Sequence, residues 1–160
     1  MTVKILPRYR KCFVCGRDNA SGLDVTFHRS GGSVTADFSG DHRHVGFPHQ
    51  LHGGIISSLL DEAMGWAVIG YLAKMVQTWE IKIRFHRPLP PGKSIRVEAW
   101  LEEDKGRYLR AAGRIVDGEG HIYARGIGKY FPLPEAHEKE ILRELYIEGD
   151  EDRLVTQEDY

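Results

Sequence analysis

HGGIISSLLDEAMG, residues 52–65, sets a histidine and two glycines directly ahead of an apolar helix pattern that also carries two acids. Followed through residue 73, the segment puts Ile55, Ile56, Leu59, Leu60, Ala63, Met64, Ala67 and Val68 on one broad apolar stripe, with Ser57, Ser58, Asp61, Glu62 and Gly65 opposite. A helix apolar over so wide an arc must be enclosed by other elements, and the chain offers strands for that purpose.

Before the helix, LDVTFHR (23–29) and SVTADFSG (33–40) read as strands joined by a Ser-Gly-Gly turn. After it, TWEIKIRFHR (78–87) alternates strictly, with Trp79, Ile81, Ile83 and Phe85 on one face and Thr78, Glu80, Lys82, Arg84 and His86 on the other. Prolines 88, 90 and 91 end it. SIRVEAWLEE (94–103), RYLRAAGRIVD (107–117) and HIYARGIGKYF (121–131) follow, linked by glycine-bearing turns that suit antiparallel hairpins. Ala124, Gly126 and Gly128 share a face, so the last strand invites close approach by the helix. The expected architecture is α+β, a curved antiparallel sheet wrapped around one long central helix. Residues 1–22 form an N-terminal loop segment with a CxxC pair, 23–132 the main domain, and 133–160 a short surface helix followed by a frayed acidic tail.

The 160 residues, 41% hydrophobic, suit one domain with a real core. No run of about 18 apolar residues and no signal-peptide pattern is read, so a soluble cytoplasmic protein is expected, without a membrane partner. Residues 135–160 hold ten acidic against three basic side chains, which leaves 19 basic against 13 acidic in the body. The basic residues are dispersed rather than gathered into a stripe, so nucleic acid is not an expected partner, although a phosphorylated ligand is. Cys12 and Cys15 stand too close to staple a fold.

The helix start carries unpaired N–H groups and partial positive charge, and glycines there let a carbonyl oxygen approach the backbone. Gly53 and Gly54 therefore outline an oxyanion hole, while Asp61, mid-helix, is a candidate base or nucleophile. Asp61 lies about 12 Å from Gly53 along the axis at 1.5 Å per residue, too far for both to touch one carbonyl. Two chains of a symmetric dimer would solve the problem. A tight entry turn and a solvated helix acid are the plainer explanations of the same residues.

The order strand, strand, HGG-helix with an acid nine residues after the histidine, then four strands, resembles the hotdog-fold acyl-CoA thioesterases of the phenylacetyl-CoA and 4-hydroxybenzoyl-CoA type. The likeness covers roughly residues 20–131. It implies a homodimer or dimer of dimers that hydrolyses an acyl or aryl thioester of coenzyme A, with Gly53 and Gly54 of one chain facing Asp61 of the other. It further implies that His52 orients the thioester or the glycine turn, and that Thr78 holds the attacking water or Asp61. Phe85, His86, Arg87 and Pro88 would contact coenzyme A, with Lys105 and Arg107 as phosphate partners; as isolated charges, Arg87, Lys105 and Arg107 equally suit ordinary surface. Many relatives place an asparagine six residues before the histidine, where this chain has Gly46; Gln50, His49 or His44 would have to substitute. Glu62 is the competing acid.

No cofactor beyond the coenzyme A of the substrate, and no metal, is expected in this chemistry. Cys12 and Cys15, joined by His42, His44, His49 or His52, would make a Cys2His2 site, which leaves a zinc-binding module as an alternative; small cysteines packed against the sheet are the simpler expectation. A hotdog-fold hydratase or dehydratase would need an acid where Leu59 and Leu60 stand. A non-catalytic acyl-CoA-binding protein is the remaining alternative.

Overall fold

The computed structural model of the chain describes residues 2–160. Its strands are β1 (Val3–Ile5), β2 (Arg8–Tyr9), β3 (His28–Ser30), β4 (Ser33–Phe38), β5 (Val76–Phe85), β6 (Ile95–Asp104), β7 (Leu109–Asp117), β8 (Ile122–Pro132) and β9 (Leu145–Tyr146). The helices are α1 (Gly53–Leu72) and α2 (Glu135–Glu144). Seven strands form one sheet in the order β1-β3-β4-β6-β7-β8-β5, and β2 pairs with β9 apart from it. Every pairing is antiparallel. Gly106 and Gly120 take φ of 74° and 85° in the β6–β7 and β7–β8 turns, the left-handed conformation that glycine adopts without a Cβ penalty.

By length and composition α1 would pass for a membrane span, although it holds no unbroken apolar run of spanning length, because only two of its residues are charged. The sheet shows why it is apolar. Leu59, Leu60, Ala63, Met64 and Val68 are wholly enclosed by the strands. The helix settles onto nearly bare backbone: a Cβ on Gly113 would stand 3.2 Å from Leu60, and one on Gly126 would stand 3.3 Å from Met64. Gly128 serves another purpose, since the ring of Tyr130 lies over it.

Three expectations are corrected. Residues 23–27 are not a sheet strand; Leu23, Val25 and Phe27 keep alternating burial, but the N–H groups of Leu23 and Val25 donate to the N-terminal loop at Phe13 and Val14. Strict alternation in β5 breaks at a bulge between Thr78 and Glu80, which leaves Trp79 exposed against Phe131 and turns Thr78 toward the helix. The acidic tail is anchored rather than frayed. Val155 and Tyr160 are buried, Tyr160 lies against Trp66, and Arg153 is paired with Asp150 and Asp159. Farther in, Glu148 is bound to Arg8 and Arg17. These partners neutralise the charge that made the segment read as solvated.

Candidate active site

α1 begins at a specific turn. His52 is its N-cap, and the imidazole Nδ1 accepts the Gly54 N–H at 2.8 Å. Gly54 is therefore not a free oxyanion donor, which corrects the two-donor expectation and gives His52 the role of shaping the glycine turn. Gly53 keeps its N–H without an acceptor among the described residues. The ring of Phe85 stands 3.2 Å from where a Gly53 Cβ would be, so only glycine fits that position without displacing the ring. Gly46 also has a steric reason, because a Cβ there would come within 3.0 Å of the His52 ring. His44 does not take the place of the missing asparagine: it is buried, and its Nδ1 accepts the Asp41 N–H at 3.0 Å.

Two turns further on, Asp61 is half-buried. One of its oxygens, Oδ1, accepts the Thr78 hydroxyl at 2.9 Å and the Tyr130 hydroxyl at 3.2 Å. Tyr130 also reaches the Asp61 backbone carbonyl at 3.2 Å. Burial, then the Asp61 charge, push the Tyr130 hydroxyl far above its ordinary pKa, so it stays a donor. The second carboxylate oxygen has no partner among the described residues, and Asp61 lines a cleft of about 560 Å³ with Thr78, Tyr130, Trp66, Ile69 and Met75. A carboxylate pinned at one oxygen and open at the other, beside an apolar cavity of ligand size, is equipped to accept a proton or to attack. A larger depression of about 660 Å³ lies near Asp37 and Asp117, but its acids are already paired with Arg96 and Lys93.

Tyr130 was not read from the sequence. Its signal is the glycine two residues before it, which leaves room for an aromatic ring to lie back along the strand. Glu62, the competing acid on the stripe opposite the apolar one, is covered by the N-terminal loop, and Cys12 Sγ donates to its Oε2 at 3.2 Å. Burial raises the Glu62 carboxyl to about 8, and hydrogen bonding from Cys15 lowers the Cys12 thiol. The cysteines thus meet Glu62 rather than any histidine.

The coenzyme A candidates separate into two groups. β5 and β7 run parallel through β8, which sets Thr78 in line with Tyr130 and Leu109 and sets Phe85 in line with Ala124 and Ile115. Lys105 and Arg107, on the β6–β7 turn, therefore lie at the Asp61 end, and Phe85, His86, Arg87 and Pro88 at the other, about 23 Å away along β5 at 3.3 Å per residue. Lys105 pairs with Glu103, and Arg125 lies 3.3 Å from the His86 ring. The Arg87 guanidinium lies over Tyr123. One chain does not gather them.

Known proteins share this fold. The family profile described as Thioesterase superfamily matches residues 48–124. Bovine (Bos taurus) acyl-coenzyme A thioesterase THEM4 is 31% identical over 90 residues, 55% of this chain but 36% of that protein, so the chain spans about a third of its curated relative. A crystal structure of a thioesterase superfamily protein, 28% identical, superposes with a TM-score of 0.71 over 76% of this chain and 60% of the other. The E. coli PaaI protein from the phenylacetic acid degradation operon, at 18% identity, shares the fold with a TM-score of 0.64 over 70% of this chain and 81% of its own. The chain therefore has the hotdog fold, and its residues 48–124 are similar to the thioesterase superfamily.

Proposed function

We propose that the protein is an acyl-CoA thioesterase that hydrolyses an acyl or aryl thioester of coenzyme A to the free acid and coenzyme A. The observation that carries the reading is the Asp61 carboxylate, held at one oxygen by Thr78 and Tyr130 and open to the cleft at the other. The Gly53 N–H at the start of α1 polarises the thioester carbonyl. Asp61 takes a proton from an attacking water, or attacks the carbonyl itself. In the first case the water oxygen ends on the acyl carbon, the C–S bond breaks, and the departing thiolate recovers the proton from the aspartic acid; in the second the C–S bond breaks to leave an Asp61–acyl anhydride and a thiolate protonated by solvent, and water then adds to the Asp61 carbonyl carbon, releasing the free acid and restoring the carboxylate. The chemistry requires no cofactor beyond the coenzyme A of the substrate, and the protein works in the cytoplasm, where such esters are made.

The active species is a homodimer. Gly53 and Asp61 are separated by about 12 Å along one helix, so each site takes its oxyanion donor from one copy and its carboxylate from the other. β5 is the long edge strand of the sheet, the other edge being the three-residue β1. Antiparallel pairing of two β5 edges across a twofold axis brings the Phe85–Pro88 end of one copy to the Asp61, Lys105 and Arg107 end of the other, reuniting groups that a single chain keeps apart.

A hydrolysis screen over aliphatic and aryl coenzyme A thioesters, read by release of free thiol, tests the reading with Asp61→Asn as control. Turnover that Asp61→Asn lowers about 10²- to 10⁴-fold is expected. Absence of turnover across the panel, or full activity in the variant, overturns it. Single-turnover hydrolysis in ¹⁸O-water distinguishes base from nucleophile by whether label enters Asp61.

A further inference from the structure

Beside Asp61, but independent of its chemistry, Cys12, Cys15 and Glu62 point at one another. Their ligand atoms all lie within 4.8 Å of each other. Tetrahedral zinc with Zn–S near 2.3 Å and Zn–O near 2.1 Å sets neighbouring ligand atoms about 3.5–3.8 Å apart; Cys12 Sγ and Glu62 Oε2 stand 3.2 Å apart, and no pair of the three exceeds 4.8 Å, so shifts of about 1 Å or less bring all three to ligand spacing. The backbone is organised for a thiolate: Cys12 Sγ accepts the N–H groups of Val14 at 3.3 Å and Cys15 at 3.4 Å, and Gly16 N–H closes the turn onto Cys12 O at 2.9 Å. A Cβ on Gly16 would run into backbone atoms at 2.2–2.6 Å, so the loop can close this way only with glycine there. Glu62, covered by the loop, makes no ion pair with Lys, Arg or His among the described residues, and two thiols are poor compensation for a sequestered carboxylate.

We propose that Cys12, Cys15 and Glu62 form a binding site for a zinc-class divalent cation, with the fourth position facing the cleft that Asp61 shares. Two thiolates and one carboxylate select a borderline-soft ion over magnesium or calcium. The cation ties the N-terminal loop to α1 and so fixes one wall of the cleft. It turns a mutually repelling set of acids into a ligand set, and binding releases the protons those groups carry.

The test uses the full chain with reduced thiols, stripped by chelator and reconstituted with zinc or cobalt(II). After dialysis about one zinc per chain is expected, together with a thiolate-to-cobalt charge-transfer band in the cobalt form. Saturating zinc should raise Tm, by roughly 8–16 °C at a thousandfold excess over Kd. Cys12→Ser and Glu62→Gln should each weaken zinc by more than the roughly 10- to 100-fold that loss of an outer-shell partner costs, whereas His52→Ala should retain it. Should Glu62→Gln fail to fold by circular dichroism, the cobalt spectrum and thiol protection of the unmodified chain decide the matter. No retained zinc and no charge-transfer band overturns the proposal, as does a cation whose affinity survives loss of both cysteines.

Discussion

Two inactive proteins should restore each other. Gly53→Val places branched carbons where the Phe85 ring already stands 3.2 Å from the Cβ position, so the ring or the helix start must shift and the Gly53 N–H loses its approach to the carbonyl. Losing one such donor costs about 2.7–4 kcal/mol, or about 10²- to 10³-fold in kcat. Asp61→Asn keeps volume and hydrogen-bonding reach but removes the charge, for a loss of about 10²- to 10⁴-fold with smaller effects on KM. Each homodimer is then dead at both sites, by a different defect. A heterodimer holds one doubly defective site and one intact site. Random exchange of equal amounts makes half the dimers mixed, so about one quarter of wild-type activity per total protein should return. Thiol release measured after brief mild denaturant treatment, with native mass spectrometry to count heterodimers, provides the assay, and melting curves confirm that both variants fold. Verified heterodimers without recovered turnover would refute the shared site and return both groups to a single chain.

Other perturbations test the supports around the site. Thr78→Val removes the 2.9 Å bond to Asp61, and at about 1.5–3 kcal/mol for a hydrogen bond to a charged group kcat should fall about 10- to 150-fold; Thr78→Ser should recover most of it, and a Val variant with wild-type kcat contradicts the assigned role. Tyr160 is 3% exposed but its hydroxyl finds no partner among the described residues, so Tyr160→Phe should be neutral or stabilising in denaturant melts while Tyr160→Ala costs on the order of 3 kcal/mol; equal losses would show that the tail is not docked. For Asp117, burial opposes ionisation but is outweighed by N–H groups of His121 and Glu119, the His121 ring and Lys93, and the carboxyl lies below its ordinary range. A depressed folded pKa contributes stability that is present above the unfolded value of 3.8 and is lost as pH falls. Asp117→Asn should thus lower Tm at neutral pH and flatten its decline in acid, and parallel Tm curves would exclude this coupling.

The helix and the four long strands after residue 75 could be read from the sequence because each runs nine residues or more and carries period 3.6 or period 2 over most of its length. Asp61 and Thr78 were legible as residues but not as a contact. Strict alternation sets Thr78 across the sheet from Ile81, and only the bulge at Trp79, a product of pairing with β8, turns it inward. Tyr130 was hidden for a similar reason: its hydroxyl meets Asp61 because Thr78 and Tyr130 are cross-strand partners, and register is a tertiary fact. The loop over Glu62 lay beyond pattern reading altogether. Nothing local says that residues 12–15 return to a helix fifty positions later, so the element that covers the polar stripe could not be named from the pattern. In the tail, composition registered ten acids while missing two isolated apolar anchors, Val155 and Tyr160.

The two glycines beneath α1 act as stops of unequal stiffness. At Gly126 the atoms a methyl group would meet first are the far ends of Ile83 and Met64, at 3.0 and 3.3 Å, and these can swing aside. At Gly113 the first atom met is the Glu98 backbone oxygen, at 3.0 Å, which belongs to the sheet itself. One methyl at 126 is therefore taken up by those two side-chain ends, and the Asp61 carboxylate keeps its place against the hydroxyls of Thr78 and Tyr130. The same methyl at 113 strains the strand pair instead. A screen for folded, active variants should accordingly accept Gly126→Ala and reject Gly113→Ala, so that β8 tolerates a methyl that its neighbour β7 does not.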